Sequence, residues 1–364
     1  VTTTPATTGR SRRPRLLAFD TVVPRQLAHR RAVGEVLVTD SAQDDAHRFR
    51  VAVQIPRAHL LWGDHDDAMH DPLGVVEAAR QAAIVVSHRY YGVPLTGRTG
   101  ISHDVSFVAD RIADLGDAFD GPLEGVFDVR VTPGGSGGNE LTSLRFCAAF
   151  ERVWGGAKAP PVRASLDGVE GDIQGADGPT HAPAALTLQG SLTFLDTTDY
   201  RALRVAARRA KGLGDVGRPC LARLADPTLV GRRNPSNVVI AAPRDGEERF
   251  ACQIVADPRH PSFYDHPLDH LPGPLLAEAL RQTALLRLAR GGWEGPTPLL
   301  TEARATFAGF VEPEQPSFVA VLAADAETGV VQAEIQQAEQ LCATATLRLS
   351  RTHVTGSARE RTNT

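Results

Sequence analysis

The sequence predicts an α+β chain made of two tandem copies of one unit, each a long central helix wrapped by a curved antiparallel sheet. Three observations carry the prediction. LWGDHDDAMHDPLGVVEAARQAA (61–83) and SFYDHPLDHLPGPLLAEALRQTA (262–284) align without a gap, matching Asp64 with Asp265, His65 with His266, Glu77 with Glu278, Arg80 with Arg281 and Gln81 with Gln282. Each window is preceded by two strand-like runs, HRRAVGEVLVTD and RFRVAVQIP in the first copy, VGRRNPSNVVIAAP and RFACQIVAD in the second. Each is followed by segments that alternate apolar and polar residues with β-branched enrichment, the pattern of half-buried antiparallel strands. These are ISHDVSFVAD, EGVFDVRVT, LTSLRFCAAF and AALTLQGSLTFL, then ARATFAGFV, PSFVAVLAAD, GVVQAEIQQ and LCATATLRLS.

The helices have their own start and stop signals. Asp71 is placed to cap the first, with Pro72 at its first position, where a missing N–H costs nothing; His88 and Arg89 stand near its negative end. The second opens on Pro272-Gly273-Pro274 and stops at Gly291-Gly292. Apolar residues run round nearly the whole circumference of LGVVEAARQAAIVV, which marks a helix buried on most sides. DTTDYRALRVAARRAKGLGD (196–215) reads as a short basic helix between the copies. The expected layout is a loose tail over 1–19, a first unit over 20–200 with an insertion loop at about 155–183, a linker over 201–219, a second unit over 220–352 and a tail over 353–364.

Composition narrows the function. A net charge of -4 leaves no basic footprint for nucleic acid, no apolar run is long enough for a membrane span, and the N-terminus makes a poor signal peptide; a cytoplasmic protein is expected. Cys147, Cys220, Cys252 and Cys342 are scattered, with no CxxC pair, and read as reduced thiols. The spacing of His260, His266 and His270 with Asp265 and Asp269 fits no familiar metal geometry, so no metal or cofactor is expected. GGSGG (134–138) lacks the phosphate-loop lysine and reads as a hairpin tip, and Arg12-Arg13 and Arg232-Arg233 read as solvated charge that an acidic carrier protein could meet.

The chemistry is expected on the helices. Glu77, Arg80 and Gln81, like Glu278, Arg281 and Gln282, share one helix face at spacings of three and four. Burying such a pair costs several kcal/mol per ion before the two repay it, and it is buried twice here, in register. The alternative is a pair that only locks the copies together.

HLPGPLLAEALRQ resembles the helix start of hotdog-fold acyl-thioester enzymes. HRRAVGEVLVTD, DPLGVVEAARQA, HRYYGVP, VGRRNPSNVVI and FYDHPLDHLPGPLLAEALRQ together resemble the A-factor biosynthesis family, the γ-butyrolactone and butenolide synthases. The resemblance implies a double hotdog, an internal pseudo-dimer that leaves further homo-oligomerisation open. It also implies transfer of a β-ketoacyl group from acyl carrier protein to dihydroxyacetone phosphate, without a cofactor. Glu278, Arg281, Glu77 and Arg80 are the catalytic positions it points to. Gln282, Gln81, His266, Tyr264 and Gly273 are expected at the substrate, with Glu278 as a base whose pKa its apolar surroundings raise. Where hotdog dehydratases carry a catalytic histidine, this chain has Tyr264 and Gly63, which argues against dehydration. The first copy lacks the Pro-Gly pair, so the second is ranked the better site. The alternatives are a hotdog thioesterase or dehydratase, or an acyl-binding regulatory module without catalysis.

Overall fold

The alternating segments pair into one antiparallel sheet. The computed structural model describes residues 15–64, 69–117, 121–135, 141–153, 184–213, 222–243, 249–293, 295 and 297–351. The first half supplies β1 (Val38–Gln43), β2 (Arg48–Ile55), α1 (Pro72–Tyr91), β3 (Arg98–Val108), β4 (Leu123–Gly134), β5 (Ser143–Arg152) and β6 (Leu186–Asp196). After α2 (Thr197–Ala210) come β7 (Ala251–Gln253), α3 (Gly273–Arg290), β8 (Leu299–Phe307), β9 (Ser317–Asp325), β10 (Val330–Gln337) and β11 (Gln340–Ser350). The eleven strands lie in the order β1-β2-β4-β5-β6-β3-β8-β11-β10-β9-β7. Outward from the β3–β8 ladder, β3, β6, β5, β4 and β2 match β8, β11, β10, β9 and β7, with β1 left over at one edge, so the repeat in sequence is a pseudo-two-fold in space.

The expected strands all form, with one difference. In the second half the VVIAA run makes only bridges, Ile240 to Ile254 and Ala241 to Leu224, and β7 is three residues long. That outer wing is thinner than β1–β2 opposite it. Arg15–Phe19, assigned by sequence to a loose tail, are tied down: Arg15 Nη2 is 2.9 Å from Asp40 Oδ2, the Ala18 N–H donates to the same carboxylate, and Leu17 is buried. Segment 154–183, which contains the expected insertion loop, lies outside the described residues, as do most of GGSGG, Arg12-Arg13 and the C-terminal tail.

Both long helices are buried among apolar side chains. Leu73, Val75, Ala78, Ala82 and Val86 of α1 join one core with Leu275, Ala279, Leu280 and Leu286 of α3. Asp71 caps α1 by accepting from the Leu73 N–H at 2.9 Å. Helix α2 is docked: Arg204 makes a bidentate pair with the fully buried Glu312 at 2.7 Å for each bond. No helix among the described residues is long and apolar enough to cross a membrane.

Two aspartates clasp the halves reciprocally. Asp64 of the first half accepts from the backbone N–H groups of Arg233 and Asn234, each 3.1 Å away. Asp265 of the second accepts from those of Arg31 and Ala32, at 2.5 and 2.8 Å. Removing either carboxylate strands two backbone donors, so Asp64→Ala and Asp265→Ala are each expected to cost ~1–3 kcal/mol. A lowered urea midpoint with an unchanged slope is the result to look for; a native midpoint for both variants would show that the clasps hold nothing.

Candidate functional site

Each helix glutamate is the hub of a guanidinium cluster. Around Glu278, Arg281 donates from Nη2 at 2.6 Å and from Nε at 3.1 Å, and Gln282 Nε2 donates at 2.5 Å. A second arginine completes it: Arg232 Nε is 3.0 Å from Oε1, and its Nη2 is 2.9 Å from Oε2. Around Glu77, Arg80 donates from Nε at 2.8 Å and Nη2 at 2.9 Å, Gln81 donates at 2.8 Å, and Arg30 forms a close ion pair with Oε1. The glutamines are tethers in both halves. Gln81 spans Leu37 N–H and Glu35 C=O, while Gln282 spans Val239 N–H and Asn237 C=O.

The partner arginines are what the sequence reading missed. Arg232 was expected in water and has no exposed surface. The signal was present in the RR dipeptides of HRRAVGEV and GRRNPSNV. The helix windows align 201 positions apart, but Arg30 and Arg232 are 202 apart, a one-residue slip that hides the match.

Glu278 does not carry the raised pKa expected of it. Burial alone would raise it, but the charges and hydrogen bonds of Arg232 and Arg281 outweigh burial and hold it down at about 2. Glu77 is held below the usual carboxylate range in the same way, by Arg30 and Arg80 against the opposing effect of burial. Neither carboxylate is a ready proton acceptor at neutral pH.

The two clusters differ in charge and access. At Glu278, Asp71 Oδ2 approaches Arg232 Nη2 at 3.5 Å and Arg281 Nη1 at 3.6 Å. Two guanidiniums there face two carboxylates, and the side chain of Glu278 is 0 % exposed and that of Arg281 only 7 %. The position matching Asp71 in the second half is Pro272, and among the described residues Glu77 is the carboxylate that Arg30 and Arg80 share. The Arg80 side chain is 33 % exposed. Arg30 is 7 % exposed, and its Nε is buried with no hydrogen-bond partner. A buried donor without an acceptor costs on the order of 1–3 kcal/mol, more on a charged group.

His266 reaches the open cluster from the other half. Its ring is 35 % exposed, and Nδ1 is 3.5 Å from Asp265 Oδ2. Burial lowers its pKa, Asp265 opposes that, and Arg30 and Arg80 add to the lowering. It also borders a cavity of about 490 Å³ lined by Arg31, Tyr264, Leu268, His270 and Pro313. Burial pushes the Tyr264 phenol up to about 12, so it stays protonated. A side chain at Gly63 has no room, since a Cβ there would sit 2.2 Å from the Arg57 carbonyl oxygen. Gly273, at the start of α3, has open space around it. His65 lies outside the described residues.

The histidine-rich loop divides among separate tasks. His260 Nε2 pairs with Asn237 Oδ1 at 2.9 Å, and His270 Nδ1 pairs with Asp269 at 2.7 Å. Among the described residues no group of three His, Cys, Asp or Glu side chains could hold a metal ion.

Tandem hotdog units with a Glu-Arg pair on each central helix define the class of this chain. The model of the A-factor biosynthesis hotdog domain matches residues 12–118 and 217–353, and the chain belongs to that family. It is 28% identical over 299 residues to a 2-oxo-3-(phosphooxy)propyl 3-oxoalkanoate synthase of Streptomyces virginiae, covering 82% of this chain and 86% of that protein. It is 25% identical over 317 residues to the protein of that name from Streptomyces coelicolor, covering 82% of this chain and 81% of the relative. Among solved structures, a 12:0-ACP thioesterase from Umbellularia californica superposes with a TM-score of 0.47 at 9% identity, over 85% of this chain and 100% of that one.

Proposed function

We propose that this chain transfers a 3-oxoacyl group from a thioester on acyl carrier protein to the hydroxyl of dihydroxyacetone phosphate, yielding a butenolide or γ-butyrolactone precursor in the cytoplasm. We place the reaction at the Glu77 cluster. The observation that carries this placement is the charge imbalance: two guanidiniums against one carboxylate, with Arg80 reachable from solvent and the buried Arg30 Nε donor unfilled. Such a site takes an anion, and a phosphate oxygen suits the arginine fork. The names borne by the relatives agree with that chemistry, a phosphooxypropyl acceptor and a 3-oxoalkanoyl donor.

Glu77 then acts as the anchor that sets the two guanidiniums, rather than as a base. The donor thioester reaches His266 along the cavity beside Tyr264, and the start of α3 at Gly273 faces the reacting carbonyl with the positive end of its dipole. Glu278, Arg281 and Gln282, balanced by Asp71, hold the halves together. The test incubates the protein with a 3-oxoacyl thioester and dihydroxyacetone phosphate and reads products by mass spectrometry. The phosphorylated 3-oxoacyl ester or its cyclised butenolide is expected. Free 3-oxo acid alone would make the protein a thioesterase, and tight thioester binding without turnover would make it an acyl-binding regulator.

A further inference from the structure

Two histidines beside the open cluster, His29 and His88, have no part in the proposed binding of phosphate and thioester. His29 ends a 3-10 turn with φ 51, in the left-handed region that a non-glycine residue rarely occupies. The matching position in the second half is Gly231, with φ 67. His88 stands on the last turn of α1; its counterpart is Ala289. The imidazole pair therefore belongs to the first half alone, the half whose cluster is open.

Chemistry fixes the protons in this pair. His88 Nδ1 is 2.6 Å from the Val93 carbonyl oxygen, which only accepts, so Nδ1 carries a hydrogen. With one proton on each ring, His88 Nε2 is an acceptor. His29 Nε2 lies 2.6 Å from it and must donate. The proton of His29 is thereby placed on Nε2, and its Nδ1 is left as a bare lone pair without a partner among the described residues.

We propose that His29 is the catalytic base of the acyl transfer, and that His88 is the positioning residue that selects its tautomer. The assignment rests on the acyl-transfer reading. His29 Nδ1 takes the proton of the acceptor hydroxyl as that oxygen bonds to the thioester carbonyl carbon. The tetrahedral adduct collapses, the C–S bond breaks, and the departing thiolate receives the same proton from Nδ1. One C–O bond replaces one C–S bond, with no other reactant.

The surroundings suit this role. Burial, then His88, Arg80, His266 and Arg30, lower the His29 pKa to about 4, so the ring is neutral near pH 7. A phosphate bound by Arg30 and Arg80 would offset the two guanidinium charges that oppose protonation of His29. The base would then strengthen only when the phosphorylated acceptor is in place.

His29→Asn is the decisive variant, because asparagine tolerates the left-handed backbone. It is expected to lower kcat by on the order of 10²–10⁴-fold, with KM for dihydroxyacetone phosphate changed less than about threefold and the acid limb of the kcat profile lost. His29→Gly, which copies the second half, should be equally impaired, while His88→Gln should lose about tenfold and shift the acid limb. A native kcat in His29→Asn overturns the proposal. An independent readout is the ¹⁵N spectrum of His29 in the wild-type protein. At pH 7 it should show Nδ1 unprotonated, and added inorganic phosphate should raise its titration midpoint. A proton on Nδ1, or a midpoint indifferent to phosphate, overturns the relay even if no ester forms; absence of ester alone would count only against acyl transfer.

Discussion

Glu278→Gln is expected to destabilise the protein by about 3–5 kcal/mol, because it leaves two buried guanidiniums with Asp71 as their remaining carboxylate. Urea unfolding should show a lowered midpoint, and turnover per folded molecule should stay near native, since the cluster is closed to substrate. A well-folded but inactive Glu278→Gln would move the chemistry to the second half and defeat the present placement. Acid should distinguish the variant as well. The Glu278 pKa is depressed on folding, to about 2 from an ordinary 4.5, so its contribution is full above that ordinary value and fades as pH falls through the folded one. Glu77 contributes in the same direction, so the variant should lose part, not all, of the acid sensitivity.

Arg30→Met should act on activity instead. The side chain keeps its apolar stem, and Glu77 retains Arg80 and Gln81, so the fold should survive. Loss of one of the two cations proposed to hold the phosphate is expected to lower kcat/KM for dihydroxyacetone phosphate by on the order of 10²-fold. KM for the thioester should barely move. Arg30→Lys should recover only part of the loss, because an ammonium keeps the charge but not the fork. Equal damage to both substrates' KM values would mean that Arg30 supports the site as a whole and does not bind the phosphate.

Much of the architecture was legible in the sequence because it rests on local periodicity. The strand alternation, the cap at Asp71 and the doubled Glu-x-x-Arg-Gln pattern all report interactions within a few residues. The missing parts are long-range. Arg30 and Arg232 reach their glutamates across 47 and 46 residues, and the RR dipeptides that hold them fall one residue out of the helix register, so neither reads as buried. Asp71 reads as a cap, which it is, while its second oxygen faces Arg232 and Arg281, 161 and 210 residues along the chain. The raised pKa expected for Glu278 failed for the same reason: apolar neighbours were visible in the helix, but the second guanidinium was not. His29 and His88 are 59 apart and mean little until the Val93 carbonyl is seen to choose a tautomer.

The joining of the two halves through the β3–β8 ladder has an evolutionary consequence. In a dimer of identical chains, every substitution appears at both sites at once. An aspartate that neutralises one cluster would neutralise its twin, and a histidine forced into a left-handed turn would strain both copies. A fused chain removes that constraint. Asp71 and Gly231 could settle at one site while Pro272 and His29 persisted at the other, so one site could specialise in rigidity and leave the other free to keep an unbalanced, less stable and chemically useful arrangement.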